Sequence, residues 1–191
     1  MKITAIDFSI NCPGFVTFDT ETKIFKPFAI RRNGPKKVSE FTKSLLVPCE
    51  KFENPFEDQE HFLNLITELL EDSSIIILEG YSYSSFSSSY IQLIEYQSIL
   101  RNKLFNKSKK LFVFAPTEIK KTAGKGNFSK FQMFESFIKL NPDEFDFEIP
   151  FLKYCIDNKE ILLKKSGVAK PYEDIIDAFF GLLTFFKTEK I

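Results

Sequence analysis

Four acidic side chains stand at positions from which they could share one site. Asp7 lies at the end of the first predicted strand, and Glu79 directly follows the apolar run of residues 75–78. Asp174 and Asp177 lie three residues apart on a predicted helix and therefore share a face. Each position also has an ordinary explanation, because strand-end acids are often solvated and acids in a first helical turn complement the helix dipole. Taken singly, none of these acids is specific for a function.

Taken together, the same acids predict a metal site. Adjacent strand ends would bring Asp7 and Glu79 together, and a final helix packed across those ends would present Asp174 and Asp177. Carboxylates gathered at one point repel one another unless cations neutralise them. Ligands that are all oxygen suit Mg²⁺ or Mn²⁺. Two such ions can activate a water and stabilise both the attacking and the leaving oxygen of a phosphodiester, so the pattern indicates phosphodiester hydrolysis.

A basic segment lies between the second acid and the final pair. Residues 101–130 carry nine basic side chains and one acid, Glu118, in a chain whose net charge is zero. Such a segment fits a phosphate-binding face, and a solvated lysine-rich surface fits it equally well. The candidates for phosphate contact are Lys120, Lys121, Lys125 and Lys130.

Aromatic side chains follow Glu79, and glycines interrupt the basic segment. Tyr81 and Tyr83 are candidates to stack on unpaired nucleic-acid bases, although packing of their loop onto the domain explains them at least as well. The two glycines of Gly124-Lys125-Gly126 would allow the protein backbone to approach a DNA strand closely. This segment is not a P-loop, because no Ser or Thr follows the lysine.

The elements that must position these residues follow an α/β plan. The predicted elements are, in order, strands at 2–10, 15–18 and 24–30, a helix at 57–71, a strand at 75–78, a helix at 90–105, a strand at 111–115, a helix at 129–140 and a helix from 171. Residues 31–56 are predicted to be irregular with a short strand within 43–52, and residues 141–170 to add a helix or a hairpin. The order predicts a mixed sheet whose first three strands form an antiparallel meander.

Composition narrows the class of protein. The chain has 191 residues, 43% of them hydrophobic, which fits a single domain, 1–191, with a substantial core. The 24 Phe and the lack of Trp predict that Phe carries the aromatic packing. Nothing approaches the uninterrupted apolar run of ~18 residues that a transmembrane helix needs. Three widely spaced cysteines favour free thiols in a reducing compartment over a zinc site, so a cytoplasmic location is expected.

In these motifs the sequence resembles the RuvC family of Holliday-junction resolvases, particularly the compact phage-type members. The family's first strand, its acid and the following turn are matched by IDFSINCPGFV, and its second acidic motif by ILEGYSYSS. The segment with the phosphate-binding lysines is matched by PTEIKKTAGKGNFSKFQ, which aligns those lysines with Lys120 or Lys121 and with Lys130. The closing Asp-x-x-Asp-Ala helix is matched by EDIIDAFFGL. The motifs run in the family's order and span residues 1–187.

The resemblance implies an RNase H-like fold with helices on both faces of the sheet, and a homodimer. It implies two Mg²⁺ ions per active site, with Mn²⁺ as a substitute, and paired cuts in four-way or other branched DNA that leave 5′-phosphate and 3′-hydroxyl ends. The implied metal ligands and catalytic residues are Asp7, Glu79, Asp174 and Asp177, with Lys130 as a further catalytic residue. Neither a membrane partner nor a small-molecule substrate is expected.

Two departures and two alternatives remain open. Ser82 stands where the cellular enzymes carry an aromatic residue, and residues 31–56 and 141–170 are longer than the minimal family core. An actin-like small-molecule kinase also opens with strand, Asp, turn and strand, but its phosphate loop needs a Gly directly after the Asp, where this chain has Phe8. A non-catalytic protein that binds branched DNA on the same fold is the other alternative.

Overall fold

The first three strands form the antiparallel meander that the sequence predicts. β1 spans Lys2–Asp7, β2 spans Gly14–Asp19 and β3 spans Ile24–Arg31. β1 and β2 pair from Lys2↔Asp19 to Asp7↔Gly14. The structure, a computed structural model, describes residues 1–32, 38–81, 88–141, 146–147, 151–164 and 167–190.

Parallel strands extend the meander on both sides. β5, Ser73–Glu79, lies parallel to β1, and β6, Lys110–Phe114, lies parallel to β5. On the other side of the sheet, β4, Leu46–Pro48, and β7, Asp146–Phe147, both pair in parallel with β3. The main strand order is therefore β4-β3-β2-β1-β5-β6, which is the predicted mixed sheet.

Eight helices and a small hairpin complete the described part of the chain. The helices are α1 Glu40–Ser44, α2 Pro55–Leu69, α3 Ser88–Asn106, α4 Pro116–Ala123, α5 Lys130–Phe137, α6 Phe151–Asp157, α7 Lys159–Leu162 and α8 Tyr172–Glu189. The hairpin pairs β8, Leu163–Lys164, with β9, Gly167–Val168. Within these described residues, none of the helices has the length and apolar character needed to cross a membrane.

Helices cover both faces of the sheet because the central strands are apolar on both sides. Ile75 and Ile77 of β5 belong to the core shared with α8, whereas Ile76 and Leu78 belong to the core shared with α2 and α3. Phe carries much of both cores, as the composition predicts: the Phe179 ring of α8 lies 5.7 Å from the Phe25 ring of β3. The first of these cores packs α8 against β1 and β2 on one face of the sheet.

The sequence prediction is wrong for part of the basic segment. The sequence predicts a basic loop between the strand at 111–115 and the helix at 129–140, but residues 116–123 form α4. Pro116 lies in its first turn, and Glu118 accepts a hydrogen bond from the Ala115 amide at 2.7 Å. The helix is eight residues long and buries only Ile119, so it lacks the series of apolar residues at helical spacing that identifies a longer helix from sequence. Lys120 and Lys121 therefore lie on a helix rather than in a loop.

Two other stretches hold more structure than expected. Residues 31–56 contain α1 in addition to the predicted short strand, which is β4. The Ser39 hydroxyl caps this helix by accepting from the Thr42 amide at 3.1 Å. Within residues 141–170, both a hairpin and helices α6 and α7 are present.

Candidate active site

The parallel pairing of β1 and β5 sets two of the predicted acids side by side. Ile6 pairs with Leu78, so the next residues, Asp7 and Glu79, end adjacent strands at the same edge of the sheet. Their carboxyl groups are close enough to share a hydrogen bond. The expectation that the strand ends bring these acids together is confirmed.

Gly14 lets α8 bring the other two acids to the same edge. It pairs with Asp7 across the β1–β2 ladder. A Cβ at Gly14 would lie 2.2 Å from the Asp174 carbonyl carbon and 2.4 Å from the Ile175 amide nitrogen, which no side chain tolerates. Only glycine lets the first turn of α8 lie directly on this strand, and that contact holds Asp174 and Asp177 beside the strand ends.

Asp174 and Asp177 are buried rather than solvated acids at a helix start. Their residues are 1% and 7% exposed. Oδ2 of Asp174 is buried, and no hydrogen-bond partner for it is found among the described residues. The helix-cap explanation does not account for a carboxylate oxygen in that position, because a cap would be bonded to backbone amides.

Burial and mutual repulsion raise the pKa values of three of these acids. Burial, followed by the nearby Asp7 charge, raises the pKa of Glu79 to about 9. The same two causes raise the pKa of Asp174 to about 8 and that of Asp177 to about 6. In the absence of a cation the site therefore retains protons near neutral pH, because like charges this close cannot all ionise.

Two lysines pair with the buried acids. The Lys130 ammonium bonds Oδ2 of Asp177, and the Lys170 ammonium bonds Oδ1 of Asp174. Glu173 lies between them, with Oε1 at 3.5 Å from each ammonium nitrogen. The sequence reasoning placed Lys130 here but missed Lys170 and Glu173. Their signal was helical spacing, since Lys170 precedes Asp174 by four residues and Glu173 precedes Asp177 by four.

The acids do not already stand in a metal-coordinating arrangement. In the stretches of chain that the structure describes, no group of three His, Cys, Asp or Glu side chains has the geometry to hold a metal ion. Ammonium groups occupy one oxygen of Asp174 and one of Asp177 instead. The carboxylates nevertheless interact strongly enough to shift one another's protonation, so they form one electrostatic site.

The remaining lysines with predicted phosphate contacts lie on the flank of the site. Lys120 and Lys121 occupy the last turn of α4, and Lys125 is exposed in the following loop. Thr122 of α4 hydrogen-bonds Thr184 of α8 at 2.8 Å. Thr184 lies seven residues after Asp177, which corresponds to about 10 Å along the helix axis. Lys120 and Lys121, next to Thr122 in the chain, are therefore displaced from the carboxylates along α8.

Each glycine of the basic segment makes room for a neighbour within the chain. A Cβ at Gly124 would lie 2.4 Å from the Phe128 ring, and one at Gly126 would lie 3.2 Å from the Thr117 carbonyl oxygen. Internal packing therefore explains both glycines. The approach of a DNA strand is not needed to account for them.

Tyr81 is engaged by α3. The Arg101 guanidinium lies 4.6 Å from the centre of the Tyr81 ring, and the Tyr81 hydroxyl lies 3.3 Å from Ser98 Oγ. The same guanidinium donates to Gln97 Oε1 at 3.1 Å, so the ring is anchored rather than free. Tyr83, like Ser82, lies outside the described residues.

Comparison with known proteins identifies the fold. No family model matches the chain, and no curated protein matches it by sequence. The structure of Thermus thermophilus RuvC is similar with a TM-score of 0.56 at 13% identity, covering 99% of this chain and 97% of that one. The same protein in complex with a Holliday junction substrate gives 0.55 at 8% identity, covering 98% and 96%. The yeast mitochondrial Holliday junction resolvase gives 0.54 at 15% identity, covering 98% and 80%. These similarities confirm the predicted RNase H-like fold.

Proposed function

Because the chain has the fold of the RuvC-like Holliday junction resolvases, we propose that it is a metal-dependent endonuclease that cuts four-way or other branched DNA. One observation carries this proposal. Asp7 and Glu79 on strand ends and Asp174 and Asp177 on α8 meet at one edge of the sheet. These are the acids that the motifs select.

The residues of the site fit a divalent cation. Five carboxyl groups, those four and Glu173, face two ammonium groups, which leaves three formal negative charges if all are ionised. The buried Asp174 Oδ2 lacks a partner among the described residues. Oxygen ligands with surplus negative charge suit Mg²⁺ or Mn²⁺. A bound cation would replace the protons that the carboxyl groups with raised pKa values hold.

The acids that would hold two Mg²⁺ ions are Asp7, Glu79, Asp174 and Asp177. The ions would supply activation of water and stabilisation of the attacking and leaving oxygens. Lys130, whose side chain is 40% exposed, reaches the site from the first turn of α5 and would neutralise charge on the transferring phosphate.

Residues outside the acidic site would hold the substrate. Lys120, Lys121 and Lys125 on the flank would contact phosphates further along the DNA, where contacts position the strand without reading its sequence. Tyr81 would offer a ring that Arg101 already orients, on which an unpaired base can stack.

A homodimer would use the outer face of α3. Ile91, Ile99 and Phe105 are 53%, 38% and 71% exposed, and on this helix they fall within an arc of about 120°. The inward face buries Leu100 and Leu104. A second copy of the chain would cover this exposed apolar face and carry its own acidic site, as paired incisions require.

The dimer is tested by Phe105→Glu, which places a charge on that face. We expect sedimentation to give a dimer for the native chain and a monomer for the variant. A monomeric native chain would refute the dimer and leave the acidic site untouched. If the variant is still a dimer, the interface lies on another surface.

The nuclease activity is tested with a four-way junction, a flap and a linear duplex of matched sequence, each with Mg²⁺ or with EDTA. The native chain is expected to cut branched DNA only with Mg²⁺, Asp7→Asn to cut nothing, and Asp157→Asn, an exposed acid on α6, to cut normally. If no branched substrate is cut, the endonuclease proposal is wrong. Junction binding without cutting by the native chain would favour the non-catalytic alternative.

A further inference from the structure

Lys170 and Glu173 have no role in the proposed reaction, yet they are part of the acidic site. The Lys170 ammonium bonds Asp174, the Lys130 ammonium bonds Asp177, and Glu173 Oε1 lies 3.5 Å from both ammonium nitrogens. Two lysines from outside α8, Lys170 just before the helix and Lys130 on α5, therefore flank the acids of its first turns. Such an arrangement places a positive charge beside each buried acid and offsets part of the repulsion among the acids.

The acids and the lysines differ in how firmly they are held. The Asp174 and Asp177 side chains are 2% and 10% exposed, whereas those of Lys170 and Lys130 are 48% and 40% exposed. The acids are fixed in the wall of the site by α8. A lysine ammonium is a compact charge on a flexible stem, so it can leave an acid without any movement of the backbone.

Asp174 is only half satisfied by its lysine. Oδ1 receives the Lys170 ammonium, but the buried Oδ2 has no partner among the described residues. An unpaired buried oxygen costs free energy, which a second ligand would recover. A divalent cation at Asp174 cannot share the carboxylate closely with Lys170, because two positive charges at such a distance repel strongly.

We propose that Lys170 and Glu173 form a cation-exchange pair, in which Lys170 holds Asp174 until a divalent cation binds there and Glu173 then retains the displaced lysine. The position of Glu173 supports this, because its carboxylate lies beside the ammonium before any exchange. Lys170 would move only from one acid to the next. The inference rests on the proposed function in one respect, that the site takes a divalent cation.

The first test is Mn²⁺ binding to the DNA-free protein, measured by calorimetry. Lys170→Met is expected to bind Mn²⁺ roughly tenfold more tightly than the native chain, because no charge-assisted bond has to be broken. The matched control is Lys153→Met, an exposed lysine on α6, whose affinity should equal the native one. An unchanged or weaker affinity in Lys170→Met overturns the inference.

Lys170→Arg covers the case in which the methionine variant does not fold. Its guanidinium can bond a carboxylate through two parallel donors and is harder to displace, so Mn²⁺ should bind more weakly than to the native chain. Equal or tighter binding would contradict the exchange.

Glu173→Gln separates retention of the lysine from a simple charge effect. It should weaken Mn²⁺ binding in the native background and weaken it less in the Lys170→Met background. Equal weakening in both backgrounds means that Glu173 acts by its charge alone, which overturns the exchange. A native chain that binds no Mn²⁺ would instead refute the metal dependence of the proposed function.

Discussion

Replacing Gly14 with alanine tests the contact that places α8 on the strand ends. The new Cβ would meet the Asp174 carbonyl carbon at 2.2 Å and the Asp174 carbonyl oxygen at 2.5 Å. These are backbone atoms, so no side-chain rotation can relieve the overlap. The first turn of α8 has to move away from β2.

The expected loss of stability and cleavage in Gly14→Ala follows from how far α8 must move away from β2. Carbon atoms in contact lie at roughly 3.5 Å or more, so α8 and β2 must separate by about 1 Å. Overpacking of this kind costs about 1–3 kcal/mol. At roughly 2–4 °C per kcal/mol for a chain of this length, Tm should fall by several degrees. A displacement of about 1 Å at the catalytic groups should lower cleavage by roughly 10²-fold.

The assay pairs thermal unfolding with junction cleavage and uses a control on the same helix. A Cβ at Gly181 of α8 would meet Ala5 Cβ and Ile119 Cδ1 at 3.8 Å, an ordinary contact. Gly181→Ala should therefore retain cleavage and gain up to ~1 kcal/mol, since alanine is the better helix former. A Gly14→Ala variant with native Tm and native cleavage would refute the close approach of β2 and α8.

Three further predictions concern the charges of the site and the core. Because the pKa of Glu79 is raised to about 9 and that of Asp174 to about 8, the metal-free fold binds extra protons and loses stability as pH rises from about 4 towards 9. The increase in Tm on adding Mg²⁺ should therefore be larger at pH 8 than at pH 6, and an equal increase would contradict this. Glu79→Gln should raise Tm in EDTA at pH 8, because a neutral amide removes the cost of protonating this buried acid, while abolishing cleavage; a lower Tm would count against the raised pKa. Phe179→Ala should lower the free energy of unfolding in urea by about 3–5 kcal/mol, because Phe179 is fully buried. Phe56 is 81% exposed, so Phe56→Ala should lower it little. Equal losses in the two variants would contradict the assignment of Phe179 to the core.

Much of the fold could be predicted because its signals are local. The apolar run of β5 and the buried residues of β1 identify central strands, and the helical periodicity of α2 identifies a helix over nearly its observed length. The segments that were missed lack such signals. α4 buries a single side chain and α1 spans five residues, so their helical form depends on caps and on packing against the rest of the chain.

The residues of the candidate site also fall into two groups, those that the sequence reveals and those that it does not. Asp7 and Glu79 could be found because a carboxylate directly after a buried strand is unusual in sequence, and Lys130 because it falls in a recognisable motif. Lys170 and Glu173 could not be assigned, since a lysine and an acid near a helix start are common on any surface. Their place in the site emerges only from the structure, in which Glu173 Oε1 lies 3.5 Å from the ammonium nitrogens of Lys170 and of Lys130 on α5.

The sequence alone determined which strands carry the acids and in what order, because the hydrophobic pattern specifies strand, helix and edge from neighbouring residues. Only the tertiary structure decided how those acids meet. The contact of Gly14 with the Asp174 backbone and the bond between Lys130 of α5 and Asp177 of α8 join residues far apart in the chain. Such contacts depend on the packing of α8 across the sheet, which no local pattern encodes.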